Sequence, residues 1–92
     1  MNEIAKNVRI TGRVQGVWFR GWTQETALDR GVRGWVRNDP DGSVSVLLIG
    51  PAEAVNGMLR ALHDGPPSAQ VRQVEAKDTG VPETPTGFEV RY

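Results

Sequence analysis

The sequence predicts an α+β fold in which two helices cover one face of a mostly antiparallel sheet of four to five strands. Three observations favour this class. Several short segments alternate apolar and polar residues, which is the period of a half-buried strand. Two longer segments repeat apolar residues every three to four positions, as amphipathic helices do. The segments follow one another in the order β-α-β-β-α-β, with a short strand at the end.

The first strand and the first helix are joined by a glycine-containing connection. Residues 8–14 alternate and predict a strand, in which Gly12 occupies an apolar position and indicates a close backbone approach. After Gly16, one stripe recurs every four residues and predicts a helix. Its members are Phe19, Thr23 and Ala27. Gly31 fits the left-handed cap of that helix, with Val32 folding back on Ala27 as in a Schellman motif.

A hairpin follows the first helix. Residues 34–37 and 43–49 are short apolar segments on either side of a dense turn signal at 38–42. The two aspartates of that turn are interpreted as turn residues rather than as a metal or acid–base pair. Trp35 and Val36 are expected to join Phe19 in the core.

The second half predicts another helix and two more strands. Pro51 is suited to open the helix, because its fixed φ matches the first helical position. The apolar stripe of this helix consists of Val55, Met58, Leu59 and Leu62. Residues 65–67 end the helix, residues 70–77 form a strand with imperfect alternation around Gln73, and residues 88–92 alternate as a final strand.

This order predicts a ferredoxin-like βαββαβ sandwich formed by residues 1–92 as a single domain, because that arrangement buries both helix stripes on one sheet face. The first two strands run parallel in it, with the third inserted antiparallel between them. Their ends, Val14-Gln15 and Arg37-Asn38, are therefore expected at the same edge of the sheet. The position of the last strand stays open.

Composition argues against several functional classes. Eleven Lys and Arg residues balance eleven Asp and Glu residues, so neither a nucleic-acid binder relying on bulk positive charge nor a polybasic membrane anchor is expected. There is no cysteine, and His63 is the single histidine, so disulfides, a thiolate nucleophile and a multi-histidine metal site are excluded. Without an apolar span or secretory core, we expect a cytoplasmic protein, with a monomer as the simplest state.

The connection from Gly12 to Arg20 has the character of an anion site. It leads from a strand into a helix N-terminus, where unpaired N–H groups carry partial positive charge. Gly16 allows several of these groups to point inward as a nest. Arg20 lies in or beside the first helical turn, where a cation is unfavourable unless an anion lies nearby. Its guanidinium matches phosphate oxygens in a bidentate way. The edge therefore predicts a phosphate cradle.

Three residues at this edge each keep a second interpretation. Arg20 is either a phosphate ligand or a solvated arginine. Asn38 is either a catalytic residue or simply a turn residue. Trp18 either contacts the substrate or lies exposed at the rim. His63, near a helix C-terminus, is interpreted as structural.

Two long segments resemble the signatures of one known family. Residues 12–20, GRVQGVWFR, look like the signature loop of the acylphosphatase family. Residues 34–44, GWVRNDPDGSV, resemble its second signature. The spacing between the two, the chain length and a closing GFEV at residues 87–90 also fit, so the resemblance covers essentially the whole chain.

The resemblance implies hydrolysis of the carboxyl–phosphate bond of acyl phosphates to a carboxylate and inorganic phosphate, with no metal or other cofactor. Inorganic phosphate would then be both product and competitive inhibitor. Arg20 would bind the phosphoryl group, and Asn38 would hold and orient the attacking water. The phosphoryl group would also receive hydrogen bonds from the backbone amides of Gln15, Gly16, Val17, Trp18, Phe19 and Arg20.

Non-catalytic alternatives are an RNA-binding module or a module that senses a small anion. RNA-recognition domains share this strand order, but they stack bases on aromatic residues of the central strands, and residues 8–14 contain none. Three arginines could supply positive charge to an RNA, namely Arg9, Arg13 and Arg37. A sensing module is disfavoured because Arg20 and Asn38 are both intact.

Overall fold

A computed structural model describes residues 2–92, and within them the chain forms five strands and two helices. The elements in chain order are β1 (Glu3–Arg13), α1 (Phe19–Arg30), β2 (Arg33–Asn38), β3 (Val44–Pro51), α2 (Ala52–Asp64), β4 (Gln70–Thr79) and β5 (Phe88–Arg91). The βαββαβ order with a terminal strand is therefore confirmed. Neither of these helices is long and apolar enough to cross a bilayer.

The five strands form one sheet with the order β4-β1-β3-β2-β5. β1 pairs with β3 and β4, and β2 pairs with β3, always antiparallel, whereas β2 and β5 pair in parallel. β1 and β2 therefore run in the same direction on either side of β3, as predicted. The ends of β1 and β2 consequently lie at the same edge of the sheet.

The core lies between the two helices and one face of this sheet. Both helix stripes are buried there, except for Leu59, which is only half-buried. The sheet contributes alternate residues of its strands, among them Val8, Ile10, Val36 and Val46. Burying both stripes against one sheet face is the main source of stability expected for such a domain.

The end of α1 has the predicted Schellman geometry. Gly31 has a φ of 71°, and its N–H donates to the carbonyl of Leu28 at 3.3 Å. The N–H of Val32 donates to the carbonyl of Ala27 at 2.9 Å. These two bonds satisfy carbonyls that the helix end would otherwise leave unpaired, so α1 stops here and β2 begins two residues later.

The close approach predicted at Gly12 is confirmed on the β4 side. Gly12 has a φ of 122°, and a Cβ there would lie 2.3 Å from the carbonyl oxygen of Gln70. The register of β1 and β4 shifts between Thr11 and Gly12, so that Gln73 and Val71 face successive residues. This bulge accounts for the imperfect alternation around Gln73.

The expectation that Trp35 belongs to the main core is wrong. Trp35 lies half-buried on the opposite face of the sheet, against a small cluster formed by Ala5, Leu47 and Ile49. Successive strand residues point to opposite faces, and Val36 takes the helix-covered side, so Trp35 must face away from it. The guanidinium carbons of Arg37 and Arg91 lie 4.9 and 5.0 Å from the centre of its ring system.

Arg33 anchors the segment that leads into β5. Its guanidinium pairs with the carboxylate of Glu3 and donates to three backbone carbonyls of residues 82–85. This anchoring brings β5 alongside β2, where the Nε2 of Gln24 on α1 also donates to the carbonyl of Phe88 at 2.9 Å. The chain end that follows β5 therefore lies beside the N-terminal part of α1.

Candidate active site

Both sequence motifs meet in one cavity. It has a volume of about 390 Å³ and lies where β1 and β2 end and α1 begins. Arg20 and Asn38 both line it, together with Gly16 and Trp18 of the connection between β1 and α1. The topology thus brings together two side chains from separate motifs.

The connection before α1 is shaped by two residues in the left-handed region. Gly16 has a φ of 73° and Trp18 a φ of 62°. A left-handed conformation costs a non-glycine residue about 1–2 kcal/mol, so this backbone is held by its surroundings. Across residues 2–92, no backbone N–H of residues 15–20 donates to another protein atom. Unpaired donors of this kind are what an anion nest requires, and the nest itself stays a prediction.

The N-terminus of α1 lacks the usual groups that neutralise it. Trp18 occupies the cap position without a side-chain hydrogen bond, and the first turn contains no acidic residue. The partial positive charge of the helix end is therefore not neutralised by the first turn itself. Arg20 adds a full positive charge in the same turn, so the helix end favours an anion, while Glu25 lines the same cavity one turn further on.

Arg20 is held by backbone and by an aromatic ring rather than by a carboxylate. Its Nη1 donates to the carbonyl of Arg91 at 3.3 Å, and its Cζ lies 4.6 Å from the ring centre of Tyr92. Within the described part of the chain, no ion pair involves Arg20, whereas Arg9 and Arg33 each pair with an acid. The charge of Arg20 is thus available to a bound anion.

Asn38 has a fixed backbone and an available side chain. It is the last residue of β2 and pairs with Val44 of β3. Its half-buried side-chain amide makes no hydrogen bond to any residue from 2 to 92, and its polar atoms are not sealed from solvent. An amide of this kind can accept a hydrogen bond from water while donating to an anion.

The side chain of Gln15 joins the two motifs, a role that the sequence analysis missed. Its Nε2 donates to the carbonyl of Asp39 at 2.8 Å and to that of Ser43 at 2.9 Å. These carbonyls belong to the turn that follows Asn38. The signal for this role in the sequence is a polar residue just after β1, facing a tight turn. The resemblance to the family implies a role only for the backbone amide of Gln15.

Replacing Gln15 with alanine should lower the free energy of unfolding by about 1–3 kcal/mol, because two hydrogen bonds to the hairpin turn are lost, although each carbonyl keeps a backbone donor. We also expect kcat to fall more than the affinity for inorganic phosphate, since the turn that follows Asn38 loses its support from β1. Urea unfolding and inhibition by phosphate measure the two effects. Gln73→Ala on exposed β4 is the control, and an unchanged stability of the Gln15 variant would contradict the bridge.

The aspartates of the hairpin turn serve the turn itself, as predicted. Partial burial raises the pKa of Asp39, but hydrogen bonds from Ser45, Arg37 and Ser43 outweigh burial and leave it below its usual value. The side chain and backbone N–H of Ser43, followed by Arg9, hold the pKa of Asp41 well below its usual range. Within residues 2–92, no three His, Cys, Asp or Glu side chains are grouped as a metal site would require.

The lowered pKa of Asp41 predicts a loss of stability in acid. The stabilisation is complete above the unfolded pKa of about 3.9 and is lost as the pH falls through the lower folded pKa. Asp41→Asn should therefore flatten the decline of the unfolding free energy below about pH 4. Denaturant unfolding at several pH values tests this, with the exposed Asp29→Asn as control. A slope as steep as that of the parent chain would refute it.

The cavity also contains residues that the sequence did not assign. Gln24 and Glu25 contribute from α1, and Val90 and Tyr92 contribute from the chain end. The helical spacing from Arg20 could have indicated the first two residues. The last two depend on where β5 lies.

His63 lies outside this cavity. It is exposed, and its Nδ1 lies 2.9 Å from the carbonyl oxygen of Leu59.

Comparisons with known proteins identify the family of this chain. The sequence model of the family described as "Acylphosphatase" matches residues 6–90. An acylphosphatase of Rhodospirillum rubrum is 53% identical over 81 residues, which cover 88% of each chain. One of Nitrosococcus oceani is 55% identical over 82 residues, covering 89% of this chain and 91% of the relative.

A solved structure shows the same fold. The acylphosphatase of Coxiella burnetii superposes with a TM-score of 0.93 at 33% identity, covering 98% of this chain and 94% of that one. The family match over residues 6–90 includes both motifs. The chain therefore belongs to the acylphosphatase family, whose enzymes hydrolyse the carboxyl–phosphate bond of acyl phosphates.

Proposed function

We propose that Arg20 and the backbone amides of residues 15–20 hold the phosphoryl group of the substrate while Asn38 orients the attacking water. The observation that carries the proposal is an arginine that pairs with no carboxylate among residues 2–92, in the same cavity as Asn38 and beside a loop whose amides are unpaired within the same residues. Each of these features suits an anion with several oxygens.

The reaction requires little from the protein besides binding and positioning. An acyl phosphate releases a carboxylate, which is a stable leaving group, so no strong general acid is required. The amides and the guanidinium stabilise the charge on the phosphoryl oxygens as the bond breaks. Because both are fixed before the substrate arrives, little reorganisation is needed in the transition state.

Asn38 contributes the direction of attack. Its Oδ1 can accept a hydrogen bond from water while its Nδ2 donates to a phosphoryl oxygen, which together fix the line of approach. The β3 pairing of its backbone and the Gln15 bridge to the following turn support this position. In this scheme, the side chain of Gln15 is a positioning group that touches neither water nor substrate, whereas its backbone amide belongs to the phosphoryl-binding loop.

The assay for this proposal uses benzoyl phosphate and follows the loss of its absorbance. Inorganic phosphate should inhibit competitively, because it occupies the cradle of residues 15–20 and Arg20. A chelator should leave the rate unchanged, since we assign no role to a metal or other cofactor. Loss of activity with chelator, restored by a divalent cation, would contradict the metal-independent scheme.

We further propose that the chain works as a single-domain cytoplasmic monomer that binds neither nucleic acid nor a membrane. The balance of eleven basic and eleven acidic residues supports the last two points. Family membership favours hydrolysis over the non-catalytic alternatives. A salt-dependent change in the fluorescence anisotropy of labelled single-stranded RNA would favour the RNA-binding alternative instead. Light scattering should give the mass of a single chain if the protein is a monomer.

A further inference from the structure

One wall of the cavity that holds Arg20 and Asn38 is an exposed aromatic ring. Trp18 lines this cavity with 61% of its surface accessible, whereas large apolar residues are mostly buried in folded proteins. It belongs to neither of the two apolar clusters. An uncovered ring beside an anion site is suited to an apolar part of the same ligand.

Gly21 seats this ring on the first turn of α1. A Cβ at residue 21 would lie 2.2 Å from Nε1 of Trp18 and 2.5 Å from its Cε2. Any side chain at residue 21 would therefore displace the indole. Glycine destabilises the interior of a helix. At residue 21 it leaves the space in which the indole of Trp18 lies. The indole is held against the same helical turn that carries Arg20.

A second ring borders the site from the chain end. Tyr92 is fully exposed, lines the same cavity and lies over the guanidinium of Arg20. We call Trp18, seated on Gly21, and Tyr92 the aromatic wall. Polar groups for the phosphoryl end and flat apolar surfaces for the remainder are therefore both present in one cavity.

We infer that the aromatic wall binds the acyl group, and that the preferred substrates are acyl phosphates with a planar aromatic acyl group. This inference rests on the proposed function, in which the phosphoryl group occupies the cradle of Arg20 and residues 15–20. A planar ring can stack on the indole in an offset or edge-on geometry, whereas an acetyl group has too little surface to do so. The wall therefore sets specificity rather than the chemistry of phosphoryl transfer.

The test is the ratio of kcat/KM for benzoyl phosphate to kcat/KM for acetyl phosphate. Both substrates have the same phosphoryl group, so any change in the cradle itself cancels in the ratio. Trp18→Gly removes the ring and keeps a residue that adopts a positive φ without strain. We expect the ratio to exceed one in the parent chain and to fall about tenfold in this variant, mainly through KM for benzoyl phosphate.

Two further variants locate the effect. Trp18→Phe should retain most of the preference, and Gly21→Ala should lower the ratio because its Cβ displaces the indole. Trp22→Phe is the matched control, since Trp22 packs against the core and does not line the cavity, and its ratio should equal that of the parent chain.

The outcomes separate this inference from the proposed function. Turnover of both substrates with no preference in the parent chain, or an equal loss for both in Trp18→Gly, would overturn the aromatic wall and leave the proposed function intact. Failure of the parent chain to hydrolyse either substrate or to bind inorganic phosphate would overturn the proposed function itself.

Discussion

Replacing Arg20 with alanine is expected to lower kcat/KM for benzoyl phosphate by about 10³-fold or more. The guanidinium is the one full positive charge that we assign to the phosphoryl group, and none of the residues from 2 to 92 pairs it with a carboxylate. The backbone amides would remain, but the substrate would lose its bidentate partner. Steady-state kinetics and competitive inhibition by inorganic phosphate measure the effect, and both should be impaired.

Two variants make this result specific. Arg20→Lys keeps the charge without the planar fork, so it should recover only part of the loss. Arg60→Ala removes an exposed arginine of α2 that is outside the cavity, and it should behave like the parent chain. An Arg20→Ala variant that folds normally, binds phosphate and retains full turnover would refute the phosphate-binding role.

Replacing Asn38 with alanine is expected to lower kcat by about 10²–10³-fold, the effect of removing one positioned polar group from a transition state. The inhibition constant of inorganic phosphate should change little, because Arg20 and the amides of residues 15–20 remain. Asn38 supplies only one of the several hydrogen bonds to the phosphoryl group in this scheme, and its main role is to hold the water. Stopped-flow turnover together with phosphate inhibition separates the two quantities.

The control for this variant is Asn56→Ala, which removes the same amide from an exposed position on α2. It should leave kcat at the parent value. Full activity of Asn38→Ala would show that the water is oriented by another group. A parallel loss of phosphate binding would instead place Asn38 in the cradle. The contrast between the Arg20 and Asn38 variants therefore distinguishes binding from turnover.

The local patterns were readable without a structure because they depend on neighbours along the chain. The periods of four and two placed α1, α2 and the strands, and Gly31 marked the cap that ends α1. Gly12 indicated that another backbone segment lies close to it, and that segment is β4. Residue type and motif indicate Arg20 and Asn38 as candidates, and the topology of the first three strands predicts that they lie at one sheet edge.

Contacts between segments that are distant in the sequence could be seen only in the tertiary structure. The parallel pairing of β5 with β2 is accompanied by the Arg33 bonds to residues 82–85, and it places Tyr92 beside Arg20. The bridge from Gln15 to the hairpin turn depends on the distance between two loops. The period of apolar residues determined the helices and strands, because it arises from residues that are near one another along the chain. Packing determined which distant groups surround Arg20, because such contacts depend on how the whole sheet and its loops are placed in space.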